Sequence, residues 1–169
     1  DRVAEAGRNL GADIIVNLQG DEPLIDPGCI EAILGPFYFE PELMISTLKC
    51  PLPSTEEFTN PHVVKVVTDK HDYALYFSRS PIPYLRSGAI GPGQSLPGCF
   101  KHIGIYVYRV EFLQDFVTLP PGRWEQAEKL EQLRALEHRI RICLVITDHP
   151  SIGVDTPEDL ERVRQMMTG

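Results

Sequence analysis

Apolar positions in this chain come in short alternating runs separated by stretches with helical spacing, and the alternation predicts most of its elements. Helix is expected from the first residues, Asp1 to Ala6, with Gly11 placed to stop it in a left-handed conformation. A strand is expected over 13–18, a helix over 27–39 and a strand over 44–49. Ser54-Thr55-Glu56-Glu57 has the spacing of a capping box and predicts a short helix. Two β-branched and aromatic runs, 62–67 and 73–78, are joined by the turn Asp69-Lys70-His71-Asp72 and predict an antiparallel pair. The Pro- and Gly-rich stretch 81–98 reads as a long loop of the kind that carries function. Beyond it the pattern predicts a strand over 102–109, one long helix over 123–137 and a strand over 139–146. The last helix has Thr156 as its N-cap and Pro157 in the first helical position.

Strands alternate with helices in the first and last parts, while the portion around 60–110 reads as antiparallel strand and loop. Together they predict an α/β fold, a layered mixed sheet flanked by helices, in a single domain over 1–169. Because the pattern opens on a helix with no strand before it, an earlier strand is expected to be missing.

Charge narrows the partners. A net charge of −8, from 16 basic and 24 acidic side chains, disfavours general nucleic-acid binding. A small anionic substrate would need locally placed cations or a metal ion. Cys29, Cys50, Cys99 and Cys143 form no C-x-x-C pair, so zinc is not expected and reduced thiols are. No apolar run is long enough to span a bilayer.

Five segments carry candidate chemistry. Gln19-Gly20-Asp21-Glu22-Pro23 follows the first strand, at the carboxyl end where open α/β sheets bind ligands. There Asp21 can offer a hard oxygen ligand that suits Mg²⁺ with phosphate. Asp155, in Gly153-Val154-Asp155-Thr156-Pro157, also follows a strand and can supply a second carboxylate to the same ion. Arg79 ends the run 73–78 before a proline turn and can hold a carboxylate or phosphate in a bidentate fork. His102, Gly104 and Tyr106 share one strand face, with the glycine opening space between two polar side chains. Glu128, Glu131 and Gln132 fall on one face of the long helix, where they can hydrogen-bond a polyol. The alternatives are ordinary ones: a polar turn, a surface arginine, packed aromatic residues and a solvated helix face. Neither a G-x-x-x-x-G-K-[ST] loop nor G-x-G-x-x-G is present. The residues alone point to metal-assisted transfer on a small polar substrate.

Taken in order, the segments Q-G-D-E-P, F-S-R-x-x-I-P, H-I-G-I-Y, L-E-Q-L-R and G-V-D-T-P-E-D-L resemble those of the 3-deoxy-manno-octulosonate (Kdo) cytidylyltransferases, also called CMP-Kdo synthetases. The resemblance covers nearly the whole chain. It implies a Rossmann-like nucleotidyltransferase fold, CTP and Kdo as substrates, Mg²⁺ as cofactor, and a homodimer in a bacterial cytoplasm serving lipopolysaccharide synthesis. By the family pattern, Asp21 and Asp155 are catalytic and hold Mg²⁺. Gln19, Arg79, His102, Tyr106, Glu131 and Gln132 surround the sugar acid, with Arg79 on its carboxylate. The family's first strand and triphosphate loop have no counterpart here, so this chain alone is expected to show no appreciable activity. Trp124 stands where an aliphatic residue is commoner, and the turn Glu137-His138-Arg139 lacks the usual glycine. Two other readings are a cytidylyltransferase for another acid sugar, an 8-amino-Kdo or a sialic acid, and a non-catalytic sugar-binding or assembly module.

Overall fold

The computed structural model describes residues 2–8, 10–20, 22–86, 96–149, 153–154 and 156–168. Its strands are β1 (Ile14–Asn17), β2 (Ile45–Pro51), β3 (Lys65–Thr68), β4 (Ala74–Ser78), β5 (Phe100–Arg109) and β6 (Ile142–Ile146). The helices are α1 (Arg2–Gly7), α2 (Pro27–Phe39), α3 (Thr55–Thr59), α4 (Val110–Phe116), α5 (Arg123–Glu128), α6 (Gln132–Glu137) and α7 (Pro157–Thr168). Among the described residues the strands form one mixed sheet in the order β4-β3-β5-β2-β6, with β1 also on β5. The β2–β6 pair is parallel and the others are antiparallel, so the sheet is mixed, as expected.

Strand β5 organises the sheet. One of its edges pairs with β2 along nearly its whole length. The other is shared: β3 takes Phe100 and Lys101, and β1 takes Tyr106 to Arg109. The sheet therefore opens between β1 and β3, alongside residues 102–105 of β5. Here the β2 register skips from Leu48–Ile103 to Thr47–Tyr106, a bulge that increases local twist. The alternation of β5 still sorts its side chains. Ile103, Ile105 and Val107 enter the core under α2, while Tyr106 joins the opposite core with Phe112, Phe116 and Leu133.

The local sequence accounts for the helix ends. Asp26 caps α2 by accepting from Gly28 N (2.7 Å), and Pro27 fills the first turn, where no N–H is needed. Ser54 caps α3 by accepting from Glu57 N (3.2 Å). At α7, Thr156 Oγ1 accepts from Asp159 N (3.2 Å), and the Asp159 carboxylate accepts from Thr156 N (3.0 Å), a reciprocal box.

The structure corrects four expectations. The first helix ends at Gly7, and Gly11 (φ +59°) instead turns the link into β1. The runs 62–67 and 139–146 enter the sheet only at Lys65 and Ile142. Arg139 itself takes the left-handed conformation (φ 62°) that a glycine would otherwise supply. The long helix over 123–137 is broken into α5 and α6 by Lys129, which is left-handed at φ 56°. Cross-links between the two short helices explain the break. Glu125 grips Arg134 through two bonds (2.8 and 2.5 Å), and Glu137 accepts from Arg123 N and Trp124 N (3.0 Å each). In a straight helix residues nine apart sit about 13 Å from each other, too far for that grip.

Candidate functional site

The opening in the sheet leads into two adjoining hollows that share Glu22, Val64, His102 and Gly104 in their walls. The smaller, about 490 Å³, is lined by Gln19, Arg79, His102, Tyr106, Glu131 and Gln132, along with Lys129 and Asn17. All six side chains expected around a sugar acid thus face one lobe, although they come from the end of β1, β4, β5 and the α5–α6 junction. The larger hollow, about 890 Å³, lies between α3 and α7. Its walls include Glu22, next in the chain to Asp21, and Gly153 and Thr156, which bracket Asp155. Asp21 and Asp155 themselves lie outside the described residues, as do residues 87–95 of the expected loop.

Each side chain of the smaller lobe has a local cause. Gln19 lies over Gly104, its Cγ at ordinary contact distance (3.5 Å) from where a Cβ would stand. His102 contacts Phe77 and Tyr106 with ring centroids 5.0 and 5.4 Å away. Burial pushes its pKa down from 6.5 to about 3, so the imidazole is neutral at physiological pH. The Thr47 hydroxyl fixes its tautomer. Thr47 Oγ1 lies 2.7 Å from Ile105 O and 2.8 Å from His102 Nε2. A hydroxyl has one proton; given to the carbonyl, it leaves a lone pair for Nε2–H, and Nδ1 becomes the acceptor of the ring. Burial also raises the Tyr106 phenol well above its usual value, so it stays a protonated donor. Thr47 carries no motif, and nothing in the residue pattern points to it beyond its place in a strand opposite H-I-G-I-Y.

Arg79 is held from two sides. Its Nε donates to Glu128 O (2.9 Å) and Nη1 to Pro61 O (3.1 Å), while its N–H donates to the Glu128 carboxylate (2.9 Å). With Nε committed, a carboxylate ligand would meet the end of the guanidinium, where Nη2 has no protein hydrogen bond among the described residues. Glu128 also accepts from Ser78 Oγ (2.6 Å), so it is an anchor for β4 and not part of a polyol-binding face. This corrects the expectation of Glu128, Glu131 and Gln132 on one helix face. The left-handed turn at Lys129 separates them, so that Glu131 and Gln132 open α6 and face the lobe.

The donor set fits a hard cation only in part. Among the described residues no group of three or more His, Cys, Asp or Glu side chains gathers as a metal cage. The larger hollow does bring carboxylate-bearing residues Glu22, Asp148 and Asp159 to its wall, the oxygen chemistry that Mg²⁺ takes together with phosphate. No helix among the described residues is long and apolar enough to cross a membrane.

Comparison with known proteins identifies the family. A family model described as cytidylyltransferase matches residues 1–142. The 3-deoxy-manno-octulosonate cytidylyltransferase of Geobacter sulfurreducens is 50% identical over 174 residues, covering 99% of this chain and 69% of that protein. The protein of the same name from Trichlorobacter lovleyi is 51% identical, covering 99% and 68%. A solved structure of CMP:2-keto-3-deoxy-manno-octonic acid synthetase complexed with CTP matches with a TM-score of 0.89 at 43% identity, covering 99% of this chain and 67% of that one. The 2-C-methyl-D-erythritol 4-phosphate cytidylyltransferase of Thermus thermophilus, 10% identical with a TM-score of 0.56, shares the fold.

Proposed function

The chain belongs to the cytidylyltransferase family, and from that premise we propose that it serves in transferring CMP from CTP to the anomeric hydroxyl of Kdo, with release of pyrophosphate. One observation carries the choice of substrate. Six side chains from four separate parts of the chain line a single 490 Å³ lobe, of a size for one acid sugar. The Arg79 guanidinium meets the sugar's carboxylate. Glu131, Gln132 and Gln19 take its hydroxyls, and neutral His102 accepts a hydrogen bond from a hydroxyl at Nδ1 while Tyr106 donates one.

The attacking anomeric oxygen leaves the lobe toward the larger hollow, where the α-phosphorus of CTP is presented. The P–O bond to the sugar forms as the bond to pyrophosphate breaks, and the hydroxyl's proton is lost to water. Asp21 and Asp155 would hold Mg²⁺, which would supply neutralisation of charge on the phosphates. In support, Glu22 on one side, and Gly153 and Thr156 on the other, line the hollow that adjoins the sugar lobe. The residues of the lobe act by orientation, since a nucleophile held in line needs little covalent help from the protein. A cytoplasmic setting, a homodimer and a product bound for lipopolysaccharide synthesis belong to the same proposal.

Pyrophosphate release by the protein as its gene encodes it, given CTP, Kdo and Mg²⁺, tests this reading. Asp21→Asn or Asp155→Asn should lower kcat by about a thousandfold or more, the scale of losing a principal electrostatic group. Turnover unaffected by both replacements would refute the assignment of these two carboxylates, and no pyrophosphate release by the unsubstituted protein would favour a sugar-binding role.

A further inference from the structure

Lys65, the first residue of β3, is fully buried at 0% exposure. No carboxylate pairs with it among the described residues. Its Nζ donates instead to three main-chain carbonyls, Asn60 O (2.8 Å), Val63 O (2.6 Å) and Arg79 O (2.5 Å). An ammonium has three protons, and all three are used. Desolvation holds its pKa below the usual lysine value, so the charge is kept there at a cost that the three carbonyls offset.

Those carbonyls belong to two different walls. Asn60 and Val63 line the larger hollow, and Arg79 lines the smaller one. Arg79 returns a bond to the same turn through Nη1 and Pro61 O (3.1 Å). The direction of the guanidinium therefore depends on where the turn 60–63 sits, and Lys65 holds both. A tetrahedral head with three donors suits this task. Arginine is planar and wider, and methionine has the length without the donors.

We propose that Lys65 is a positioning residue that sets the Arg79 guanidinium against the turn 60–63 and so registers the acid-sugar lobe against the larger hollow. It touches no substrate. The inference rests on the proposed reading that Arg79 meets a sugar carboxylate.

The test is steady-state kinetics of Lys65→Met in the protein as encoded, with Arg79→Lys, the double variant and Val66→Ala alongside. Val66 is buried next in the chain and reports simple loss of stability. Lys65→Met should raise KM for Kdo about tenfold, with kcat and KM for CTP within about threefold. In the Arg79→Lys background it should add less than about twofold, because both replacements remove one function. Val66→Ala should move neither KM. An equal shift in both KM values, or full additivity with Arg79→Lys, would overturn the proposal. Should Lys65→Met not fold, ¹⁵N spectra of the lysine ammonium groups in the unsubstituted protein give the second measurement. Kdo without CTP should shift the Lys65 signal, and an unmoved signal would overturn the proposal. No turnover by the unsubstituted protein would instead remove the functional reading on which it rests.

Discussion

At the turn end of the β3–β4 hairpin, Lys49 reaches across from β2 to Thr68 Oγ1 (2.9 Å) and to the Asp72 carboxylate (2.5 Å), with its Nζ 4.4 Å from the centre of the Phe100 ring. At the open end, the three hydrogen bonds of Lys65 all go to main-chain carbonyls, and the Glu128 carboxylate acts on it only as a charge beyond ion-pair distance. Both lysines are buried, at 3% and 0% exposure, and each holds one end of the same hairpin. What differs is what their partners do once the lysine is gone. The Asp72 side chain is 60% exposed and can fall back on water. The carbonyls around Lys65 stand in partly buried backbone and have less water to turn to. A buried cation paired with an exposed acid is a replaceable clamp, whereas one that satisfies carbonyls is part of the backbone's own hydrogen-bonding scheme.

The largest test of this contrast is in stability. Lys65→Met should cost about 3 kcal/mol, the scale of leaving several buried acceptors unpaired, whereas Lys49→Met should cost about 1 kcal/mol or less. Urea unfolding of the two variants measures both, and equal losses would erase the distinction.

A buried nitrogen that stays neutral sharpens it next. His102 is depressed from 6.5 to about 3, so between those values the unfolded chain binds the extra proton. Stability should be fully present above about pH 6.5 and fall as the pH drops toward 3, by up to about 1.4 kcal/mol per pH unit. Melting curves across that window should show the slope, and His102→Gln should flatten it.

Smaller still is Asp72→Asn, expected to lower stability by about 0.5 kcal/mol at low salt and by almost nothing at about 1 M salt, where exposed charge is screened. The last expected effect is of opposite sign. Lys129→Gly should raise stability by a few tenths of a kcal/mol, and by no more than about 1, by relieving the left-handed backbone, seen as a higher Tm.

Much of the fold was legible because it rests on local rules. The α2 limits, Pro27 to Phe39, follow from Asp26 and Pro27 at one end and the apolar spacing between. The β3–β4 pair follows from two alternating runs with a polar turn. The broken helix was not legible, since what breaks it is tertiary: Glu137 reaching back to α5, and Glu125 to Arg134. Of the candidate site, the six side chains of the smaller lobe could be named from motif order, yet no spacing along the chain brings Gln19 to Gly104 or Arg79 to Pro61. Lys65 carries no signal along the chain for the same reason. In sequence it is one polar residue among valines, and its importance lies in carbonyls up to 14 positions away.

The left-handed residue at Lys129 has a further consequence for anyone wishing to redesign the pocket. The direction of α6, and with it the starting point of the Glu131 and Gln132 side chains, is set by that corner, because α6 begins just after it. Changing the angle of the corner would swing both side chains together without replacing either. Variation in which acid sugar fits can therefore be sought one turn upstream of the residues that touch it.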